Sequence, residues 1–128
     1  MNKIKIEMEI EVTDQDIDDI VCTAFEGGIN YWCGHVEPVG NLGVDVEYTH
    51  EQIAKGGYLY LYDIEDDEEK WILTKSRLLN GIKMYINNSI TRNWDSIVYG
   101  NEIDTSEVDS NIADMIIQFA LFEEIIYG

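Results

Sequence analysis

The segment SNIADMIIQFALF, residues 110–122, constrains the fold more than any other stretch of this chain. It is apolar nearly all round. A helix without a polar face has to be surrounded, so this one is expected at the centre of the molecule or in a subunit interface. Asp109 stands immediately before it and is placed to cap its N-terminus. The rest of the chain has to supply the layers that cover it.

Hydrophobic periodicity suggests what those layers are. Ile4, Ile6, Met8, Ile10 and Val12 alternate with Lys3, Lys5, Glu7, Glu9 and Glu11, which predicts a half-buried first strand with a charged outer face. Thr13 then opens a helix with a capping-box pattern, and Asp14, Asp16, Asp18 and Asp19 suit a helix N-terminus. Ile17, Ile20, Val21, Ala24 and Phe25 form one apolar stripe, and Gly27-Gly28 stops the helix. An extended run follows from Tyr31 to Val39, with Pro38 marking an edge strand or a strand end. A loop is expected around Gly40, Asn41 and Gly43, then a short helix from Thr49 to Lys55 closed by Gly56-Gly57.

The stretch YLYLYDI, residues 58–64, alternates strictly, with Tyr58, Tyr60 and Tyr62 on one face and Leu59 and Leu61 on the other. An acidic turn and KWIL complete a hairpin. Thr74 caps a helix carrying Leu78, Leu79, Ile82, Tyr85 and Ile86. Residues 87–100 read as irregular, and the closing EEIIYG as a final strand. The expected fold class is α+β: a single antiparallel or mixed sheet of about five strands, with three main helices packed on it. One domain, residues 1–128, accommodates all of this.

The chain has 45% hydrophobic residues, enough for a core without staples, and 11% aromatics argue against disorder. Its charge is the unusual quantity. There are 26 acids against 8 bases, a net charge of -18. Long free nucleic acid and anionic membranes are repelled by such a surface, and cationic partners are attracted. No secretory signal and no apolar run of membrane-spanning length is visible, and the two cysteines, Cys22 and Cys33, are expected as reduced thiols in a soluble cytoplasmic protein.

Charge is also segregated. No Lys or Arg occurs from Ile6 to Ala54 or after Arg92, whereas residues 70–94 hold Lys70, Lys75, Arg77, Lys83 and Arg92 and no acid. The acids form two concentrations. One is Glu7, Glu9, Glu11, Asp14, Asp16, Asp18 and Asp19. The other is Asp63, Glu65, Asp66, Asp67, Glu68 and Glu69. Either they are a solvated face, or they stand in for a phosphate backbone and occupy the Lys/Arg sites of a nucleic-acid-binding protein. The basic helix either neutralises neighbouring acids, within the fold or across a homodimer, or grips an anion. In the second case Tyr58, Tyr60 and Tyr62 with Lys75, Arg77 and Lys83 would hold a small nucleotide.

Motifs for chemistry are weak. Cys22, Cys33, His35 and His50 lack the spacing of a zinc site. Cys33 and His35 share a strand face but have no evident third residue for a nucleophilic triad. Asp14, Asp16 and Asp18 approach a calcium loop, but Asp19 stands where glycine is required and Phe25 where the bidentate glutamate belongs. No phosphate-binding glycine loop, GxSxG or HExxH is present. The sequence therefore points to a non-enzymatic protein with no cofactor and no metal, and reads the EGGINYWCGHVEPVG run, residues 26–40, as a packed turn.

At DIDDIVCTAFEGGINYWCG and IIQFALFEEIIYG the chain resembles small proteins encoded by phages and prophages of clostridia and related Firmicutes. The resemblance runs over most of the chain and carries no catalytic residue. It implies an anti-defence context, with anti-CRISPR proteins as the analogous class by size and charge. On that basis the expected partner is a host defence protein with a basic nucleic-acid-binding surface, a CRISPR effector first among them. The alternatives are a sponge for a signalling nucleotide and a homo-oligomeric structural or regulatory phage protein.

Overall fold

A computed structural model describes residues 1–39 and 49–128. The expected loop around Gly40, Asn41 and Gly43 lies outside the described residues. Helix α1 spans Asp14–Thr23, and Thr13 and Asp16 close its capping box reciprocally: Asp16 N donates to Thr13 Oγ1 at 3.0 Å, and Thr13 N to Asp16 Oδ2 at 2.9 Å. The helix widens into a π turn over Ala24–Gly28 before it stops. Strand β1, Cys33–Pro38, follows, then a 3-10 turn at Thr49–Gln52, strands β2, Leu59–Asp63, and β3, Lys70–Leu73, and helix α2, Lys75–Arg92. Strands β4, Val98–Tyr99, and β5, Glu102–Ile103, a second 3-10 turn at Thr105–Glu107 and helix α3, Ser110–Phe122, complete the order.

The class is α+β, with three helices, but the sheet is divided. Strands β1-β2-β3 form one antiparallel sheet and β4-β5 a separate two-stranded one. The expected single five-stranded sheet is thus corrected at both ends of the chain. Residues 4–12 form no strand; only Glu11 makes an isolated parallel bridge, to Glu102. The terminal EEIIYG is not a strand either. Its amides at Ile126 and Tyr127 both donate to the side-chain oxygen of Gln118, at 2.9 Å each, so a helix side chain takes the place of a strand partner. The short helix expected at Thr49–Lys55 is one 3-10 turn, and Gly56 leaves it at φ +87.

The region read as irregular begins inside α2, which runs to Arg92 and ends on Asn93 in the left-handed conformation. Its polar residues are accommodated in the helix by bonding back to its carbonyls. Asn88 donates to the carbonyl of Met84 at 2.8 Å, and Ser89 to that of Ile86 at 2.7 Å.

Helix α3 is central, as its all-round apolarity demands. Ile112, Ala113, Ile116, Ile117, Phe119 and Ala120 are all buried. Burying each large aliphatic side chain contributes roughly 1.5–3 kcal/mol. Helix α2 packs closely on it because Gly81 presents no side chain there. A Cβ at Gly81 would meet the carbonyl of Ile116, and would sit 2.9 Å from the nitrogen of Ala120. Gly28 plays the same part for the π turn, where a Cβ would lie 2.7 Å from the carbonyl of Ser110. Leu59, Leu61 and Leu73 carry the inner face of the sheet onto this core.

Candidate interaction surface

The hairpin between β2 and β3 carries the second acidic concentration. Glu65, Asp66, Asp67, Glu68 and Glu69 are all exposed. Two carboxylates shape the turn. Asp63 Oδ1 accepts from the amides of Glu65 at 2.7 Å and Asp66 at 3.3 Å, and Asp66 Oδ1 accepts from that of Glu68 at 3.0 Å. Such Asx bonds pre-form a turn without a glycine. The other carboxylates project into solvent, and among the described residues none of the five exposed acids is in an ion pair. The nearest base in sequence, Lys70, instead lies over the ring of Tyr60, 4.2 Å from its centroid.

The first acidic concentration does not form one comparable surface. Glu7, Glu9 and Glu11 are exposed along the N-terminal arm. The aspartates that follow are engaged in the fold. Asp14 accepts from Lys75 at 3.1 Å, Asp16 belongs to the capping box, and Asp19 accepts from Gln15 at 2.8 Å and Thr105 at 3.1 Å. Asp18 is half-buried, and burial holds its carboxyl pKa above the ordinary value against a smaller opposing pull from His50. Helix capping and local pairing therefore account for three of the four aspartates.

The residues of the alternative nucleotide site are engaged with other partners or lie on surfaces of a different type. Tyr60 and Tyr62 face away from the Leu59 and Leu61 side of β2, and Tyr62 is stacked on His35 with ring centroids 4.1 Å apart. Tyr58 is exposed just before the strand. Lys75 is paired with Asp14, and Arg77 donates to the carbonyl of Ile72 at 2.7 Å. Lys83 borders an aliphatic groove between α2 and the N-terminal arm. Among the described residues, no hydrogen bond or cation–π contact joins Tyr58, Tyr60 or Tyr62 to Lys75, Arg77 or Lys83.

Cys33 is buried and its thiol pKa is pushed up to about 11 by burial, so the thiolate needed for nucleophilic chemistry is scarce at neutral pH. Its Sγ lies 3.4 Å from the carbonyl of His35. Among the described residues no group of three or more His, Cys, Asp or Glu side chains is gathered for a metal ion.

The Tyr31-Trp32 pair is anchored by residues that pattern reading passed over. Asp114 of α3 accepts from the Tyr31 hydroxyl at 2.6 Å, from the Trp32 indole at 2.8 Å and from Gln118 at 2.9 Å. Burial, then the bond to Asp114, raises the Tyr31 phenol to about 12, which keeps it a donor. Tyr127 stacks on Trp32 at 5.1 Å between centroids and Trp71 and Phe122 meet it edge-on. One signal was visible in the sequence: Asp114 and Gln118 are a polar pair four residues apart on an otherwise apolar helix, where buried polar groups require partners.

No family model, curated protein or solved structure matches this chain. Among the described residues, no helix is long and apolar enough to cross a membrane.

Proposed function

We propose that the protein is a non-enzymatic inhibitor that docks its β2–β3 acidic tip on the basic, nucleic-acid-binding surface of a host defence protein, a CRISPR effector in the first instance. The observation that carries this reading is the tip itself: five consecutive exposed acids, Glu65 to Glu69, on a turn shaped by Asp63 and Asp66, with no ion pair among the described residues. Consecutive unneutralised carboxylates on a pre-shaped turn present a phosphate-like charge density at little ordering cost. Release of counterions from the partner's surface would drive the complex and make it salt-sensitive. The phage or prophage origin and the bacterial cytoplasm belong to this proposal through the resemblance described above. The sponge reading is less well supported, because Lys75 and Arg77 are already engaged.

The experiment is capture from the lysate of a CRISPR-bearing bacterium, with elution by salt and, separately, by double-stranded DNA. The wild type is expected to retain a nucleic-acid-binding protein that DNA displaces, and Asp66→Lys, Asp67→Lys, Glu68→Lys together are expected to abolish retention. A partner that DNA does not displace, or that the triple variant still holds, refutes the proposal. Capture of a nucleotide alone refutes it in favour of the sponge.

A further inference from the structure

The N-terminal arm is a strand in pattern with no strand beside it among the described residues. Ile4, Ile6 and Met8 are 85%, 78% and 57% exposed. Residues 2–10 make no backbone hydrogen bond among the described residues, and the first one in the chain is Glu11 N to Asn101 O at 2.7 Å. Further along, Ile10 and Val12 are half-buried against the core. With Met8 they form one side of a groove of about 340 Å³, whose other side is Leu79, Ile82 and Ile86 of α2. An exposed apolar row with unmet amides and carbonyls is a template for strand pairing.

Its charges are asymmetric along the chain: Lys3 and Lys5 come first, and Glu7, Glu9 and Glu11 follow. An in-register parallel pair of arms would stack lysine on lysine and glutamate on glutamate. An antiparallel pair centred on Ile6 places Lys3 opposite Glu9 and Lys5 opposite Glu7 of the other copy, twice over by symmetry. The same register sets Ile4 opposite Met8 and Ile6 opposite Ile6 on the other face. Centring one residue either way, on Lys5 or on Glu7, puts two like charges face to face. Registers with no central residue oppose apolar to charged side chains. A single register therefore meets every charge with its opposite and every apolar residue with another.

We propose that residues 3–9 of two copies of this chain pair as an antiparallel β-ribbon on a two-fold axis through Ile6, making the protein a homodimer. Met8 of each arm already lines the groove beside α2, and this register brings Ile4 of the other copy next to it, which gives the ribbon an apolar support that an isolated two-stranded ribbon lacks. This inference does not rest on the inhibitor reading. It assigns Glu7 and Glu9 to the dimer and leaves the hairpin tip as the open acidic surface.

Sedimentation equilibrium on four proteins tests it. The wild type is expected to be a dimer. Lys3→Glu with Lys5→Glu gives an all-acidic arm, and Glu7→Lys with Glu9→Lys an all-basic one; each is expected to weaken dimerisation at least about tenfold, the effect of roughly 1.4 kcal/mol. The quadruple variant carrying all four changes swaps the charges and is expected to restore the dimer. Unchanged near-ultraviolet circular dichroism at dilution confirms that the variants fold, since the arm lies outside the core. A wild type that stays monomeric at every accessible concentration overturns the proposal. So does an all-acidic variant that dimerises as the wild type does, or a quadruple variant that stays monomeric.

Discussion

Strand β2 and the N-terminal arm share a period-two pattern, aliphatic on one face and polar on the other, and the molecule treats them in opposite ways. β2 lies between β1 and β3, paired on both edges, with Leu59 and Leu61 fully enclosed. The arm leaves Ile4 and Ile6 in solvent and, among the described residues, its backbone is unpaired until Glu11. Alternation fixes which side chains share a face. It does not supply a neighbour. β2 is followed by a turn and a complementary run, KWIL, that closes a hairpin at small entropic cost. The arm is followed at once by α1, so its partner has to come from elsewhere in the chain or from another chain.

The most severe way to break this contrast is to truncate both segments. Leu61→Ala removes a fully buried side chain and is expected to cost about 2–5 kcal/mol in urea unfolding. Ile6→Ala, measured at dilution where the monomer prevails, is expected to change stability by less than about 0.5 kcal/mol. Comparable losses would show that the arm is packed within the monomer, and would end the distinction.

A smaller effect tests what secures β1, the strand on one edge of β2. Asp114→Ala removes the acceptor shared by Tyr31, Trp32 and Gln118. Leaving buried donors without a partner is expected to cost about 1–3 kcal/mol, read by thermal or urea unfolding. No loss would mean that ring packing around Trp32 holds β1 without the carboxylate.

The smallest effect is a slope against pH. Cys33, at the first position of β1, has its thiol raised from an ordinary 9.0 to about 11 by burial. Between those values the unfolded chain has given up its proton while the folded chain keeps it. Stability is therefore full below about pH 9 and falls as pH rises towards 11. Tyr31, raised from 10.0 to about 12, contributes a later fall. Cys22, whose thiol is also raised above its ordinary 9.0 by burial, keeps some of this fall in Cys33→Ala, so the variant is expected to lose stability less steeply between about pH 9 and 11 than the wild type. An equal slope in the two proteins would show that Cys33 is not enclosed when β1 is paired.

Of the candidate site, the acidic tip was readable because it is local. A hairpin places its turn residues at the surface wherever the sheet lies. The first acidic concentration was not readable as a surface, because cap bonds and the Lys75–Asp14 pair depend on where the helices end and meet. The partners of the tyrosine-and-lysine set were hidden from the sequence for a related reason. Tyr60 and Tyr62 found Lys70 and His35 across the sheet, while Arg77 turned to the carbonyl of Ile72.

By itself the sequence determined what is set within a few residues: the caps at Thr13, Thr74 and Asp109, the hairpin of β2 and β3, and the central place of α3. Those features follow from short-range hydrogen bonding and from the cost of exposing an all-apolar helix. Only the tertiary structure decided that the arm and the C-terminal tail are not strands, that α2 runs on to Arg92, and that Asp114 and Gln118 hold Tyr31, Trp32 and the tail. Each of these depends on which group arrives to satisfy a given amide, carbonyl or apolar face. A local pattern states that such a need exists, and the three-dimensional arrangement selects what meets it.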